Sequence, residues 1–200
     1  MIENKNNNEL STIKDCFDLI LSGEKEESRL AARKVRKLLY GSNSGRDVYD
    51  DIKNIINSAP ANYLIISEEW RQENFVSAVS VIYYLHNREA EPDFLFPWLF
   101  HLLLHPKGNI RYAAVRMLTT EIGPLTVHLR FPGSKSDRLS PKKAELVLRL
   151  LFLNLNSMLA SLWEPKYKKY KYVESLPACS YKSVLMVLVE LEDSCKKEFN

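Results

Sequence analysis

Apolar residues in this chain recur every three or four positions, in one segment after another. Leu10, Ile13, Phe17, Ile20 and Leu21 form one such set, and Ile110, Ala113, Ala114, Met117, Leu118 and Ile122 form another. That interval matches the 3.6-residue turn of an α-helix, so each set lines one face of a helix. A helix with one apolar face has to bury it against other elements. Glycine, which β-rich folds spend on turns, numbers only 6 in 200 residues. The chain is therefore expected to be all-α.

Caps and breakers divide it into about seven to nine helices. The first runs over about 9–21 and ends at Gly23; the second covers about 24–40, with Glu24, Glu26 and Glu27 at its positive end. A third spans about 47–56, where Pro60 is expected to interrupt it ahead of a short turn at 63–66. Ser67 is expected to cap a long helix reaching about His86, with Val76, Val79, Val81, Ile82 and Leu85 making its second half apolar. Asp93 is expected to cap a helix over about 94–105, with Pro97 in its first turns, and Asn109 one over 110–122, stopped by Gly123-Pro124. Residues 125–131 are open to a strand-like segment or a single helical turn, and 132–138 form a loop. Ser140-Pro141 opens a helix to about Trp163; a basic loop at 164–177 and a last helix over about 179–199 complete the chain. Residues 1–8 are polar and expected to be disordered, leaving 9–200 as a single domain.

Two of these hairpins share a pattern. Residues 95–123 read Leu-Phe-Pro-Trp-Leu-Phe-His-Leu-Leu-Leu-His-Pro-Lys-Gly-Asn-Ile-Arg-Tyr-Ala-Ala-Val-Arg-Met-Leu-Thr-Thr-Glu-Ile-Gly, with Pro97, Ile110, Arg111, Ala113, Ala114, Ile122 and Gly123 at the telling places. Residues 16–41 place Arg29, Ala31, Ala32, Tyr40 and Gly41 equivalently, 82 positions earlier (29 to 111, 41 to 123). The pattern resembles HEAT repeats, whose period is about 40 residues. The resemblance implies an α–α superhelix, a HEAT/armadillo-like solenoid, in which Phe75–Leu85 belongs to a degenerate middle repeat and 141–163 with 178–198 form a diverged fourth. Paired alanines let the second helix of a repeat approach the first closely, and stacked pairs bury what one pair leaves exposed. The family often carries an aspartate in the turn within a repeat, partnering a neighbour's arginine. Lys107-Gly108-Asn109 stands there instead, so an arginine ladder is not expected.

Composition bounds the function classes. The chain is 46% apolar and 26% charged, with net charge +3 and an isoelectric point near 8.6, less basic than a dedicated nucleic-acid domain. The average hides a polarity: residues 46–93 hold nine acidic and four basic groups, net −5, and 107–143 hold eight basic and two acidic, net +6. Three cysteines, Cys16, Cys179 and Cys195, without C-x-x-C, argue against a disulfide framework or zinc site and suit a reducing compartment. The first eight residues lack the apolar run of a signal peptide, and the longest uncharged apolar stretch, Leu150 to Trp163, is shorter than the ~20 residues of a membrane span. A cytoplasmic protein without a membrane partner is expected.

Catalytic signatures are sparse. His101 and His105 share a helix face, but three leucines separate them and the Glu of H-E-x-x-H is missing, so no metal or cofactor is expected. Gly41-Ser-Asn-Ser-Gly45 has Asn43 where a nucleophile elbow needs serine. A group of DNA glycosylases is also built of HEAT-like repeats, with tryptophans and an aspartate in a basic groove. This chain has Trp70, Trp98 and Trp163, but no local motif around them matches that family.

The sharpest local feature is Lys166-Tyr167-Lys168-Lys169-Tyr170-Lys171-Tyr172. Lysines neutralise phosphates and tyrosines stack on unpaired bases, so the run suits single-stranded nucleic acid; equally, it suits a solvated loop with its rings packed on nearby helices. A second basic cluster, Arg130, Lys135, Arg138, Lys142 and Lys143, strengthens the nucleic-acid case if it shares a face with the first. The leading expectation is a non-catalytic scaffold binding a protein or peptide partner. Nucleic-acid binding through 130–143 and 166–172 is the alternative, and a glycosylase the third.

Overall fold

The computed structural model describes residues 12–41, 46–86, 91–131 and 139–196. Every regular element among them is helical. The eight α-helices are α1 (Ile13–Ser22), α2 (Lys25–Gly41), α3 (Arg46–Ile65), α4 (Glu69–Ile82), α5 (Phe96–Leu103), α6 (Gly108–Arg130), α7 (Pro141–Leu162) and α8 (Ser180–Cys195). Short 3-10 turns lie at Tyr83–Leu85, Pro165–Lys169 and Val173–Ser175. Residues 1–8, expected to be disordered, and residues 42–45 lie outside the described residues. The helices gather into two compact units, α1–α4 up to His86 and α5–α8 after it.

In the first unit, Thr12 starts α1 with a reciprocal cap. Its hydroxyl accepts the Asp15 N–H at 3.0 Å, and the Asp15 carboxylate accepts the Thr12 N–H at 3.0 Å. Ile13, Cys16, Phe17 and Ile20 then face inward. α1 packs on α2, α3 and α4, and α4 packs on the other three. Phe75, Val76, Ala78, Val79 and Ile82 of α4 are accordingly all buried, and Phe75 meets Phe17 edge to face at 5.8 Å. Fully buried Ala31 keeps α2 close to its neighbours.

One polar cluster ties the helix ends. Arg71 of α4 donates to the Ile20 and Gly23 carbonyls at 3.0 and 2.9 Å, capping the C-terminus of α1. Buried Ser28 of α2 donates to the same Ile20 carbonyl at 3.1 Å and accepts from Asn74 of α4 at 3.1 Å. A guanidinium at a helix C-terminus satisfies carbonyls that have no intrahelical partner and meets the negative end of the dipole.

In the second unit, α6 packs on α5, α7 and α8, and α8 also packs on α7. Ile110, Ala113, Ala114, Met117, Leu118, Ile122 and Leu125 make the buried stripe of α6. Arg111 ties down the turn between α5 and α6, donating to the His105 and Pro106 carbonyls at 2.7 Å each. The equivalent Arg29 behaves differently: it pairs on the surface with Glu26, one turn away. Ala31, Ala113 and Ala114 are buried, while Ala32 is half-buried.

Five boundaries differ from expectation. Pro60 does not interrupt: α3 runs through it, because Ile52, Ile56, Ala59, Tyr63 and Ile66 continue one buried stripe across the proline. Gly123-Pro124 does not stop α6, which reaches Arg130 and makes 125–130 helical rather than strand-like. Pro124 and Thr120, whose carbonyl loses its partner N–H, both lie on the exposed side, while Leu118, Ile122 and Leu125 carry the core stripe onward. Ser67 does not cap α4; Glu68 precedes the helix, and the Ser67 hydroxyl donates to the Glu68 carboxylate. Asp93 and Asn109 are not caps either: Leu95 and Lys107 precede α5 and α6. Ser140 does cap α7, with Pro141 in its first turn.

Two outcomes follow from these contacts. Pro124→Ala restores a helix hydrogen bond at an exposed site; a gain of about 3 kcal/mol from the helix interior, less about 1 from the looser unfolded chain, leaves a net stabilisation of roughly 2 kcal/mol in urea denaturation. A loss of stability there would mean that α6 breaks at the proline. Arg71→Met removes charged hydrogen bonds to two carbonyls and is expected to cost about 2 kcal/mol in the same assay; no change would show that water replaces the guanidinium.

Candidate functional site

Helix α7 organises the surface of the second unit. Its inner residues Ala144, Val147, Leu148, Leu151 and Leu155 are buried against α6 and α8. Its sequence is apolar on the other side as well. Leu146, Leu150 and Leu153 are 58%, 45% and 53% exposed, and Ser157 and Ala160 extend their line at the same four- and three-residue steps. No charged residue lies between Arg149 and the helix end. The polar side chains satisfy themselves on the helix: Asn154 donates to the Leu150 carbonyl and Asn156 to the Phe152 carbonyl, both at 2.8 Å. Exposed Arg149, three residues after Leu146 and four before Leu153, borders this line. Among the described residues α7 alone is long and apolar enough to cross a membrane by length and composition, with mean hydropathy 1.4.

Beyond the C-terminal end of α7 lies a groove of about 160 Å³, lined by aromatic rings and lysines from the following turns and by Tyr181 and Leu185 of α8. Tyr167, Lys168, Tyr170, Lys171 and Tyr172 of the lysine–tyrosine run line it; Lys166 and Lys169 do not. Tyr167 is spent on packing: it stacks on Tyr181 with centroids 4.5 Å apart, and its hydroxyl faces Glu164 at 3.3 Å and the Cys179 sulfur at 3.8 Å. Desolvation pushes this hydroxyl up to about 12, with Cys179 and Glu164 adding to the effect. Each lysine of the run sits over a ring: Lys166 over Tyr167, Lys168 over Trp163, Lys169 over Tyr170 and Lys171 over Tyr172, at 5.0 to 5.6 Å. Lys166 also pairs with Glu164 at 2.7 Å. Trp163 and Tyr172 remain 46% and 65% exposed. The turn thus presents ammonium groups and ring faces together.

The other basic residues lie elsewhere. Arg130 ends α6, exposed, donating to the Gly123 carbonyl at 2.8 Å and resting over Phe131. Lys142 and Lys143 stand exposed in the first turn of α7, and the Lys143 N–H meets the Ser140 hydroxyl at 3.4 Å. Lys135 and Arg138 lie outside the described residues. The 22 residues of α7 rise 1.5 Å each, so Lys142 and Lys166 are separated by roughly 30 Å of helix. Among the described residues, Lys142 and Lys143 sit at the opposite end of α7 from the lysine turn.

The remaining candidates are placed as follows. Trp98 is buried and Trp70 half-buried under Arg71, and the lining of the groove beside Trp163 includes no carboxylate. His101 is exposed, and the His105 ring accepts the Lys107 N–H at 3.0 Å. Among the described residues no three His, Cys, Asp or Glu side chains gather as metal ligands. The cysteines are free thiols, and burial pushes Cys16 up to about 11. The outer leucines of α7, together with Tyr181 and Leu185, were missed in sequence. The last two are four residues apart on a helix, a signal that was present; the leucines were hidden by the apolar run around them.

Tyr167 provides a pH test. Its folded hydroxyl keeps its proton beyond the ordinary 10, so the stabilisation is complete below about pH 10 and is lost as pH rises towards about 12. Near-ultraviolet titration of the protein minus that of Tyr167→Phe is expected to show one tyrosine ionising near 12. A difference centred at 10 would mean that Tyr167 is not shielded.

No protein-family model matches the chain, and neither a curated protein nor a solved structure is significantly similar to it.

Proposed function

We propose that the chain is a non-catalytic interaction module that holds a protein partner on the outer face of α7, with its helix pairs acting as HEAT-like repeats that keep this face rigid. The observation that carries the reading is the Leu146–Leu150–Leu153 stripe, exposed along a helix whose opposite side is core. Large apolar side chains in a contiguous line on water are costly for a lone chain and mark an interaction surface. The pairs α1–α2 and α5–α6 support the repeat reading through their buried alanines, although Arg29 and Arg111 do different work.

The test is a photo-crosslinking aromatic residue introduced at position 150, with exposed Lys53 of α3 as control. Capture of a discrete protein in cells at 150 and not at 53 is expected. Equal capture at both, or turnover of any substrate that one point change abolishes without unfolding the chain, overturns the reading.

The groove favours a second reading, single-stranded nucleic acid held by rings and ammonium groups. Replacing Lys166, Lys168, Lys169 and Lys171 by alanine is then expected to flatten the log–log salt dependence of oligonucleotide binding by about 3. An unchanged slope, or no binding at low salt, removes it.

A further inference from the structure

Resting on the reading of the lysine–tyrosine turn as a nucleic-acid site, we infer that the groove beyond α7 is a subsite for one nucleotide. A single unpaired base lies on the Trp163 ring, and its phosphate is held by Lys168 and Lys171. All three side chains line the groove. Its volume, about 160 Å³, is below the ~300 Å³ at which pockets begin to enclose drug-sized ligands. One ring system enters such a space, and the sugar and phosphate stay at the rim.

One wall is built before any ligand arrives. Tyr167 and Tyr181 stack with their planes 19° apart, and the Tyr167 hydroxyl is anchored to Glu164 and Cys179. A wall already fixed lowers the ordering cost of binding. The rings left for a guest are Trp163, half-exposed, and Tyr172, more exposed still. Lys168 stands over Trp163 and Lys171 over Tyr172, both at 5.6 Å. An ammonium covers one face of a ring, and a base stacks on the other while its phosphate meets the same ammonium.

The lining favours a nucleotide over a peptide. Among the described residues that line the groove there is no carboxylate, amide or arginine. An extended peptide brings backbone N–H groups that need acceptors. The carbonyls of Tyr167, Tyr172, Val173 and Leu176 already accept from Tyr170, Ser175, Leu176 and Lys182. A phosphotyrosine calls for the bidentate fork of arginine. Lysines are point charges of the kind that neutralise a nucleic-acid backbone. Glu164, just before the turn, is paired with Lys166 and so repels a phosphate less.

The probes are thymidine 5′-monophosphate, thymidine and single-stranded octathymidylate at low salt. The signal is Trp163 fluorescence, taken as the difference between the chain and Trp163→Phe. The monophosphate is expected to quench it with half-saturation at roughly 1 mM, and thymidine to bind at least about tenfold more weakly for want of the phosphate. Octathymidylate is expected to quench the same signal and to compete with the monophosphate. Trp163→Ala is expected to weaken octathymidylate binding about tenfold, followed by anisotropy of a labelled strand. Lys168→Gln with Lys171→Gln is expected to abolish the advantage of the monophosphate over thymidine. These side chains line the groove rather than the core, so the helical signal should stay unchanged in each variant.

Octathymidylate binding that leaves Trp163 fluorescence and the Trp163→Ala affinity unmoved overturns the inference. The strand then lies on the lysines outside the groove, and the nucleic-acid reading stands. Equal affinity for a duplex of the same length also overturns it, because paired bases cannot enter. Quenching by O-phosphotyrosine as strong as that by the monophosphate overturns it in favour of a phosphopeptide. If neither the monophosphate nor octathymidylate binds at low salt, the inference and the nucleic-acid reading fall together.

Discussion

Burial of apolar stripes that no single pair of helices can cover governs both units. α1 shows this in the first: its four inward residues are reached from α2, α3 and α4, and no one of these would seal them. In the second unit α6 has the same role, with α5, α7 and α8 around it. Each buried leucine or isoleucine removed from water contributes about 2 kcal/mol, so one helix lost from such an arrangement would forfeit most of a domain's marginal stability. The guanidinium contacts follow from this packing. Helix ends and turns driven together by apolar faces lose water from their carbonyls, and Arg71 at the end of α1 and Arg111 at the α5–α6 turn replace it.

The same constraint explains what sequence could and could not disclose. All-helical character was legible because the three- and four-residue spacing is itself the packing interface. The α7 start was legible in Ser140-Pro141, since hydroxyl and proline act locally. Pro60 and Pro124 misled because their cost, about 3 kcal/mol each, is local, whereas the stripes that outweigh it, Ile52 to Ile66 and Leu118 to Leu125, become favourable only once other helices arrive. Ser67 failed as a cap because its hydroxyl found the adjacent Glu68 carboxylate.

The candidate surfaces divide in the same way. Composition alone singled out Lys166 to Tyr172, and five residues of that run line the groove beside Tyr181 and Leu185. What composition could not supply was pairing: which ring lies under which lysine, and that Tyr167 is committed to Tyr181 on α8. Nor could it reveal that α7 holds Lys142–Lys143 and the lysine turn a helix length apart. The outer stripe was hidden by abundance. In Leu146-Val-Leu-Arg-Leu-Leu-Phe-Leu153 the inner and outer faces are both apolar, so periodicity has no contrast until burial separates them.

Neighbouring leucines on α7 test the two-faced helix most directly. Leu151 is fully buried and Leu150 is 45% exposed. Urea denaturation of Leu151→Ala and Leu150→Ala at sub-micromolar concentration should give a loss of about 3 kcal/mol for the first and under about 1 for the second. Equal losses would contradict the account, because they would mean that both sides of α7 are core and that the helix has no surface to offer.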